Sequence, residues 1–164
     1  MTLEQVRLLR VDGQPIPTLE EVLLALPAAM TIYVELRGER VERVAIDAMQ
    51  RAGRPCPIHS FDHEMIARAG RIAPDLPRGI LFDQGATVDT AFIRAAAAAA
   101  GARDLWPHYS LVSPRFVDVA RSLDAHVITW TVNDATRAQQ LAELGVYGLC
   151  GDDVRLLATS PGQP

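Results

Sequence analysis

The chain has 164 residues, of which 49% are hydrophobic and 22% charged, values typical of one soluble globular domain. Its net charge of −4 argues against a general nucleic-acid-binding role, and no apolar run reaches the roughly 20 residues of a membrane span. The first ten residues lack the apolar core of a signal peptide. Two cysteines, Cys56 and Cys150, stand in no metal-like spacing. These features predict a cytoplasmic protein with reduced thiols.

A regular alternation of strands and helices is predicted from residue 18 onwards. Thr18 begins the first helix as an N-cap, acidic residues follow in its first turn, and Pro27 ends it. Six apolar segments after this helix are predicted as strands, and each is followed by a segment with helical periodicity. The predicted strands are 31–36, 56–61, 78–82, 105–112, 126–132 and 146–150. The predicted helices that follow them are 41–52, 62–72, 87–100, 113–123, 134–144 and 153–157.

Strict alternation with short loops predicts parallel strands joined by right-handed crossovers. An open doubly wound sheet and a (β/α)₈ barrel both have this order, but no glycine-rich phosphate loop follows an early strand, which weakens the dinucleotide-binding version. The chain begins with a helix and is about 90 residues shorter than a full barrel of roughly 250. We therefore expect an α/β fold, a TIM-type (β/α)₈ barrel that lacks its first two strands. We expect a single domain with a core over 15–157 and a tail over 158–164.

In such barrels the functional site lies at the C-terminal ends of the strands. The polar or aromatic residues at the predicted ends are Glu35, Arg37, His59, Ser60, Asp83, His108, Trp130, Asn133 and Asp152. Alternation places Tyr33, Glu35 and Arg37 on one face, and Val34 and Leu36 on the helix-covered face. A carboxylate in the barrel mouth can hold Mg²⁺ or Ca²⁺, and an arginine can bind a phosphate; an ion pair at the rim is the alternative. The chain contains no lysine, so a phosphate contact must use arginine or histidine.

The four histidines differ in their predicted positions. His59 and His108 end strands and are the candidate catalytic residues. His63 has the position of a solvated helix residue, and His126 begins its strand at the opposite end, where a structural role is expected. The aspartates at 152–153 are also compatible with capping the last helix. The sequence has no Gly-x-Ser-x-Gly elbow and no Cys–His nucleophile signature.

The sequence contains five short segments whose order and spacing together carry a resemblance to one protein family. They are Ile16-Pro17-Thr18-Leu19-Glu20-Glu21-Val22-Leu23, Val34-Glu35-Leu36-Arg37, His59-Ser60-Phe61, Trp130-Thr131-Val132-Asn133 and Gly145-Val146-Tyr147-Gly148. The set resembles the glycerophosphodiester phosphodiesterase family over almost the whole chain. The resemblance implies a (β/α)₈ barrel that hydrolyses glycerophosphodiesters to an alcohol and glycerol 3-phosphate. It also implies a divalent cation, Mg²⁺ or Ca²⁺, and two histidines that act as acid and base.

The resemblance implies roles for four residues. Glu35 matches a metal-binding carboxylate, and Arg37 stands where the family usually has a phosphate-binding lysine. Trp130 matches a tryptophan that lines the substrate pocket, and Ser60 matches a residue that borders the site. The family's His-Arg-Gly motif, Glu-x-Asp metal pair and second catalytic histidine have no counterpart in this sequence, and Gly151-Asp152 replaces its final Thr-Asp. We therefore expect weak or no hydrolysis by this chain alone.

Three hypotheses follow from the resemblance. The chain is a scaffold or phosphate-binding paralogue, or one half of a split enzyme, or an enzyme whose site is rebuilt from His59, His108 and Asp83 around Glu35. In each case the ligand is a glycerophosphodiester or another phosphate-containing small molecule. Two open strand edges predict a homodimer, or a complex with a chain that supplies the barrel front. The apolar interior at the gap, including Tyr33 and Trp130, is expected to be exposed to water.

Overall fold

The computed structural model describes residues 2–157, so the predicted tail over 158–164 lies outside the described residues. Its N-terminal segment comprises three elements that were not predicted, α1 (Leu3–Leu8), β1 (Arg10–Val11) and β2 (Gln14–Pro15), and the predicted helix α2 (Leu19–Ala25), which Thr18 caps. Helix α1 has a reciprocal capping box between Thr2 and Gln5, and none of its residues is buried. Strands β1 and β2 form an antiparallel hairpin, in which Asp12 and Gly13 have φ values of 49° and 79°. The Asp-Gly pair is the signal that could have predicted this turn.

A six-stranded parallel sheet follows the hairpin. Its strands are β3 (Val34–Glu35), β4 (Ile58–Ser60), β5 (Arg78–Phe82), β6 (Asp104–Pro107), β7 (His126–Thr129) and β8 (Gly148–Leu149). They are hydrogen-bonded in chain order, β3 to β8, and the sheet curls into a half-barrel. The predicted fold class, a partial TIM-type barrel with six parallel strands, is therefore confirmed.

Helices connect these strands and cover the convex face of the sheet. They are α3 (Glu42–Arg51), α4 (His63–Ile72), α5 (Thr90–Ala100), α6 (Pro114–Ser122), α7 (Ala135–Glu143) and, after β8, α8 (Val154–Leu157). Side-chain oxygens of Asp62, Ser113 and Asp134 accept hydrogen bonds from backbone N–H groups three residues on, so these predicted helix starts are confirmed. Gly101 ends α5 in the left-handed conformation, also as predicted. Within residues 2–157, no helix is long and apolar enough to cross a membrane.

Five of the six predicted strands are longer than the observed ones, and the excess at the C-terminal end is greatest for those predicted to end at residues 112 and 132. Strand β6 ends at Pro107, and Tyr109–Leu111 form a 3₁₀ turn in place of the predicted continuation to residue 112. The side chain of His108 accepts a hydrogen bond from the Ser110 N–H, a local bond that competes with a strand ladder. Strand β7 ends at Thr129 instead of residue 132, and an isolated bridge between His108 and Trp130 continues its pairing with the segment after β6.

The concave face of the sheet is more covered than predicted. Leu81, Trp106 and Ile128 form an apolar cluster on this face and are only 5–6% exposed. The curl of the sheet itself brings these side chains together, so the expectation of a solvent-exposed interior is wrong for them. Tyr33, at the β3 edge, is exposed as expected, whereas Trp130 is half-buried against the cluster.

Candidate functional site

A cleft of about 900 Å³ opens at the C-terminal ends of the strands, where the site was expected. Six of the predicted site residues line it, namely Glu35, Arg37, His59, Ser60, Asp83 and Trp130. Both edge strands contribute, because Glu35 follows Val34 in β3 and Cys150 immediately follows β8. The structure therefore brings residues from distant parts of the chain to one surface.

Glu35 and Arg37 form an ion pair at the rim of the cleft. The Arg37 Nε donates a hydrogen bond of 2.7 Å to Glu35 Oε1, and the two side chains are 76% and 35% exposed. The ion pair that the sequence left open as an alternative is thus present. An exposed pair of this kind contributes only about 0–1 kcal/mol, so a bound anion or cation could rearrange it at little cost.

His59, in β4, lies beneath Glu35 on the concave face. It is 7% exposed and stacks on Trp106 with ring centroids 4.3 Å apart. Its Nδ1 is buried and has no hydrogen-bond partner among the described residues. Burial lowers the pKa of His59 to about 4, and the nearby Glu35 carboxylate offsets this only in part. His59 is therefore neutral at physiological pH.

The Ser60 hydroxyl is committed to the backbone. It donates to the Leu36 carbonyl at 2.8 Å and accepts from the Asp62 N–H at 3.1 Å, and the residue is 2% exposed. Ser60 thus joins the end of β3 to the start of α4. Ser60 borders the cleft, as the family resemblance implied, but its hydroxyl already donates one hydrogen bond and accepts another within the protein.

Aromatic side chains form one wall of the cleft. The Trp130 Nε1 donates to the Trp106 carbonyl at 3.0 Å, which fixes the indole. The Phe61 ring meets Trp130 edge-on at 5.5 Å, and the Arg37 guanidinium carbon lies 5.8 Å from the Phe61 ring centre. Trp106 was not predicted as a site residue. Its position two residues after Asp104, on the inward face of β6, is the signal that could have identified it.

The second candidate histidine is separated from the first. His108 is not among the residues that line the cleft, and its ring packs edge-on against Trp130 at 5.2 Å. Its Nδ1 lies 2.8 Å from the Ser110 hydroxyl. Asp83 does line the cleft, and its Oδ1 accepts from the Gln84 N–H at 2.7 Å. The structure therefore brings His59 and Asp83, but not His108, to the cleft around Glu35.

The other two histidines contact neighbouring strands. The His63 Nε2 lies 2.8 Å from the Leu81 carbonyl, and its ring packs against Phe82, so the prediction of a solvated residue is wrong. The His126 Nδ1 lies 3.0 Å from Asp104 Oδ1, at the end of the sheet opposite the cleft. The structural role expected for His126 fits this position.

Two aspartates near the C-terminal end have different partners. The Asp152 carboxylate accepts from the Asn133 Nδ2 at 2.7 Å, and the Asp152 N–H donates to Asn133 Oδ1 at 2.9 Å. Asp152 thus ties together the loops after β7 and β8 instead of capping the last helix. Asp153 pairs with Arg155 at 2.7 Å and accepts from its N–H, as expected of a residue at the start of α8.

A divalent cation would find few ligands in this cleft. Within residues 2–157, no group of three or more His, Cys, Asp or Glu side chains is placed to hold a metal ion. Asp62 and Asp83 also line the cleft but form no such group with Glu35, and one Glu35 oxygen accepts from Arg37. Mg²⁺ and Ca²⁺ require six or more oxygen ligands, so this residue set does not make a complete site. The expected metal-binding role of Glu35 stays a prediction.

Comparison with protein families gives one assignment for nearly the whole chain. The model of the glycerophosphoryl diester phosphodiesterase family matches residues 1–156. A search of curated proteins gave no match. The family match agrees with the order of the five segments in the sequence and with the curled parallel sheet.

Solved structures give the same fold. A glycerophosphoryl diester phosphodiesterase from Silicibacter pomeroyi is 26% identical with a TM-score of 0.77, and the similarity covers 89% of this chain and 57% of that one. For a glycerophosphodiester phosphodiesterase from Galdieria sulphuraria the values are 22%, 0.86, 96% and 69%. For an Oleispira antarctica phosphodiesterase, in complex with the product sn-glycerol-3-phosphate, they are 19%, 0.69, 79% and 54%.

The similarities to solved structures below 25% identity establish the fold alone. The chain also spans only 57% of the Silicibacter protein and 54% of the Oleispira protein. The family model, by contrast, extends over 156 of the 164 residues. The chain therefore belongs to the glycerophosphoryl diester phosphodiesterase family.

Proposed function

We propose that the cleft binds the phosphate of a glycerophosphodiester, or of glycerol 3-phosphate, at Arg37. The observation that carries this proposal is the arginine itself, which lines the cleft at the C-terminal strand ends and, among the described residues, is hydrogen-bonded only through its Nε. A guanidinium with free terminal N–H groups matches a phosphate in charge and geometry. Phe61 and Trp130 provide an apolar wall beside it for the organic part of the ligand.

We further propose that residues 2–157 alone give little or no hydrolysis. Attack of water on phosphorus requires a base, and the leaving alkoxide requires a proton. With a pKa of about 4, His59 is neutral at pH 7 and is a weak base, and His108 is not among the residues that line the cleft. The incomplete ligand set at Glu35 supports no step that depends on a metal ion.

A second candidate function, as one half of a split enzyme, is supported by the sheet edges. Strands β3 and β8 end the sheet, and the residues at both edges line the cleft. A polypeptide that pairs with these edges would place its own side chains next to Glu35 and Cys150. We propose that such a chain is the source of an acid, a base or metal ligands. A scaffold role without turnover needs no such chain.

Binding of glycerol 3-phosphate tests the main proposal. We expect millimolar ligand to raise the melting temperature of the wild type, because it binds only the folded state, and we expect Arg37→Ala to abolish most of the shift. Arg121→Ala is the matched control, since Arg121 is also an exposed arginine paired with a carboxylate, Asp118, and lies outside the cleft. No shift in the wild type, or an equal shift in Arg37→Ala, would contradict the proposal.

Turnover of glycerophosphocholine separates the hypotheses. The loss of a catalytic acid or base typically costs about 10²–10⁴-fold in rate, so we expect the isolated chain to be close to the uncatalysed rate. Turnover that is lost in His59→Ala and His108→Ala would support a rebuilt site. Robust turnover that survives both substitutions would contradict the proposed inactivity and both histidine assignments.

We propose the cytoplasm as the compartment. The support is that Cys56 and Cys150 are both unpaired thiols, which is usual in a reducing compartment. Detection of the protein in a periplasmic or secreted fraction of the native cells would contradict this proposal.

A further inference from the structure

The Arg37 side chain is restrained from two directions although it is 76% exposed. On one side its Nε donates to Glu35 Oε1 at 2.7 Å. On the other, its guanidinium carbon lies 5.8 Å from the centre of the Phe61 ring, within the distance of a cation–π interaction. A long, exposed arginine normally samples many rotamers, so these two contacts decide where its charge is located.

The contacts leave one edge of the guanidinium free. Glu35 uses Nε, and the terminal Nη1 and Nη2 atoms have no hydrogen-bond partner among the described residues. These two nitrogens form a fork that can bind two phosphate oxygens at once. A lysine offers one ammonium group and could not hold Glu35 and a phosphate in the same fixed geometry.

Phe61 is itself held in place. Its ring meets Trp130 edge-on at 5.5 Å, and Trp130 is anchored by the 3.0 Å hydrogen bond from its Nε1 to the Trp106 carbonyl in β6. The ring under Arg37 is thus connected to the buried cluster of the concave face. The Phe61 ring therefore has a defined position, unlike the side chain of a mobile surface residue.

We propose that Phe61 is a positioning residue, whose ring holds the Arg37 guanidinium so that Nη1 and Nη2 face a phosphate in the cleft. The proposal rests on the phosphate-binding function proposed above and deepens it. Glu35 acts with Phe61 by occupying Nε. Phe61 does not touch the phosphate, so its effect is exerted through Arg37 alone.

Nuclear magnetic resonance of the arginine Nε–H groups tests the restraint without any ligand. In the full chain, the Arg37 signal is identified by its disappearance in Arg37→Lys. We expect Phe61→Leu to remove the ring-current shift of this signal and to speed its exchange with water by about two- to fivefold, the range that an exposed cation–π contact supports. Phe61→Tyr keeps the ring and should restore the wild-type signal.

Titration with glycerol 3-phosphate provides the functional readout. We expect Phe61→Leu to weaken binding about two- to fivefold and Phe61→Tyr to bind as the wild type does. Phe92→Leu is the matched control, because Phe92 is a comparably exposed phenylalanine outside the cleft, and it should change neither readout.

The outcomes separate this inference from the proposed function. An unchanged Arg37 signal in Phe61→Leu, or equal effects in Phe92→Leu, would overturn the positioning role. If the wild type binds no glycerol 3-phosphate, the phosphate-binding function fails, and the role of Phe61 in orienting a phosphate fails with it. Weaker binding in Phe61→Leu with rescue by Phe61→Tyr supports both.

Discussion

The buried imidazole of His59 makes the free energy of unfolding depend on pH. Its pKa is lowered from 6.5 to about 4, so the unfolded chain takes up a proton over this range while the folded chain does not. The contribution to stability is therefore present above pH 6.5 and is lost as the pH falls toward 4. Between pH 7 and pH 5 the loss is on the order of 1–2 kcal/mol.

Urea unfolding at pH 7 and pH 5 measures this contribution. We expect the wild type to lose more stability than His59→Gln, which cannot take up the proton. His63→Gln removes a histidine that lies outside the cleft and controls for the loss of a titratable residue. If His59→Gln shows the same pH dependence as the wild type, the buried neutral state of His59 is wrong.

Glu35 is expected to bind Mg²⁺ or Ca²⁺ weakly. It is the one family carboxylate that the resemblance maps onto this chain, and Arg37 competes for one of its oxygens. A single carboxylate with water ligands rarely holds these hard cations tightly. Calorimetric titration of wild type and Glu35→Ala should give weak binding that the substitution removes. Submicromolar affinity that survives Glu35→Ala would refute the assignment.

The sequence predicted the positions of some site residues but not their contacts. Alternation along β3 was enough to place Glu35 and Arg37 on the concave face, because the period of a strand is local information. The contact of His59 with Trp106 skips a strand, since β5 lies between β4 and β6. Contacts of this kind depend on the curl of the sheet and on side-chain size, which no local pattern encodes.

At the scale of a single strand, Gly79 allows the His59–Trp106 stack to form. It lies in β5 between the two aromatic residues, and a Cβ at this position would lie 2.8 Å from the Trp106 Nε1. The indole can cross β5 only because there is no side chain there. We expect Gly79→Ala to displace Trp106 and to destabilise the protein by about 1–3 kcal/mol, as overpacking does.

Urea unfolding followed by tryptophan fluorescence measures both effects of Gly79→Ala. Gly85→Ala is the control, because nothing lies within 4 Å of a Cβ added at Gly85. A Gly79→Ala protein with wild-type stability and an unchanged spectrum would show that the close approach of the indole to β5 is wrong.

Local signals in the sequence predicted whether an element is a helix or a strand, but they did not predict the lengths of the strands. The caps at Asp62 and Ser113 mark helix starts by their own hydrogen bonds. The strands predicted to end at 112 and 132 were too long because Val112 and Val132 are buried in a separate cluster with Leu141. Burial there comes from packing against α7, so the apolar pattern continues after the ladder has ended.

At the scale of the whole molecule, alternation of strands and helices was sufficient for the fold class. Parallel order and helix-covered strands follow from the connections, and the structure has both. The sequence did not predict how the curl of the sheet affects burial. The curl buries Leu81, Trp106 and Ile128 on the concave face. The apolar side chains that stay exposed include Tyr33 at the β3 edge, and Leu8 and Val11 in the N-terminal segment.

The two edge strands are the basis for the predicted assembly. Strands β3 and β8 each pair on one side only within the described residues. Unpaired backbone groups on an edge tend to recruit another chain. We therefore expect a homodimer, or a complex with a partner chain that pairs with these edges.

Exposed apolar side chains in the N-terminal segment also favour association with another chain. Helix α1 buries no residue, and Leu8 is 81% exposed beside other exposed apolar side chains, a surface typical of an interface. We expect light scattering to show a dimer at micromolar concentration and Leu8→Glu to shift it toward the monomer. Val44→Glu, at a 68% exposed position on α3, should not. A stable monomer with slow amide exchange in β3 and β8 would refute the homodimer, because edges that already resist exchange need no second copy.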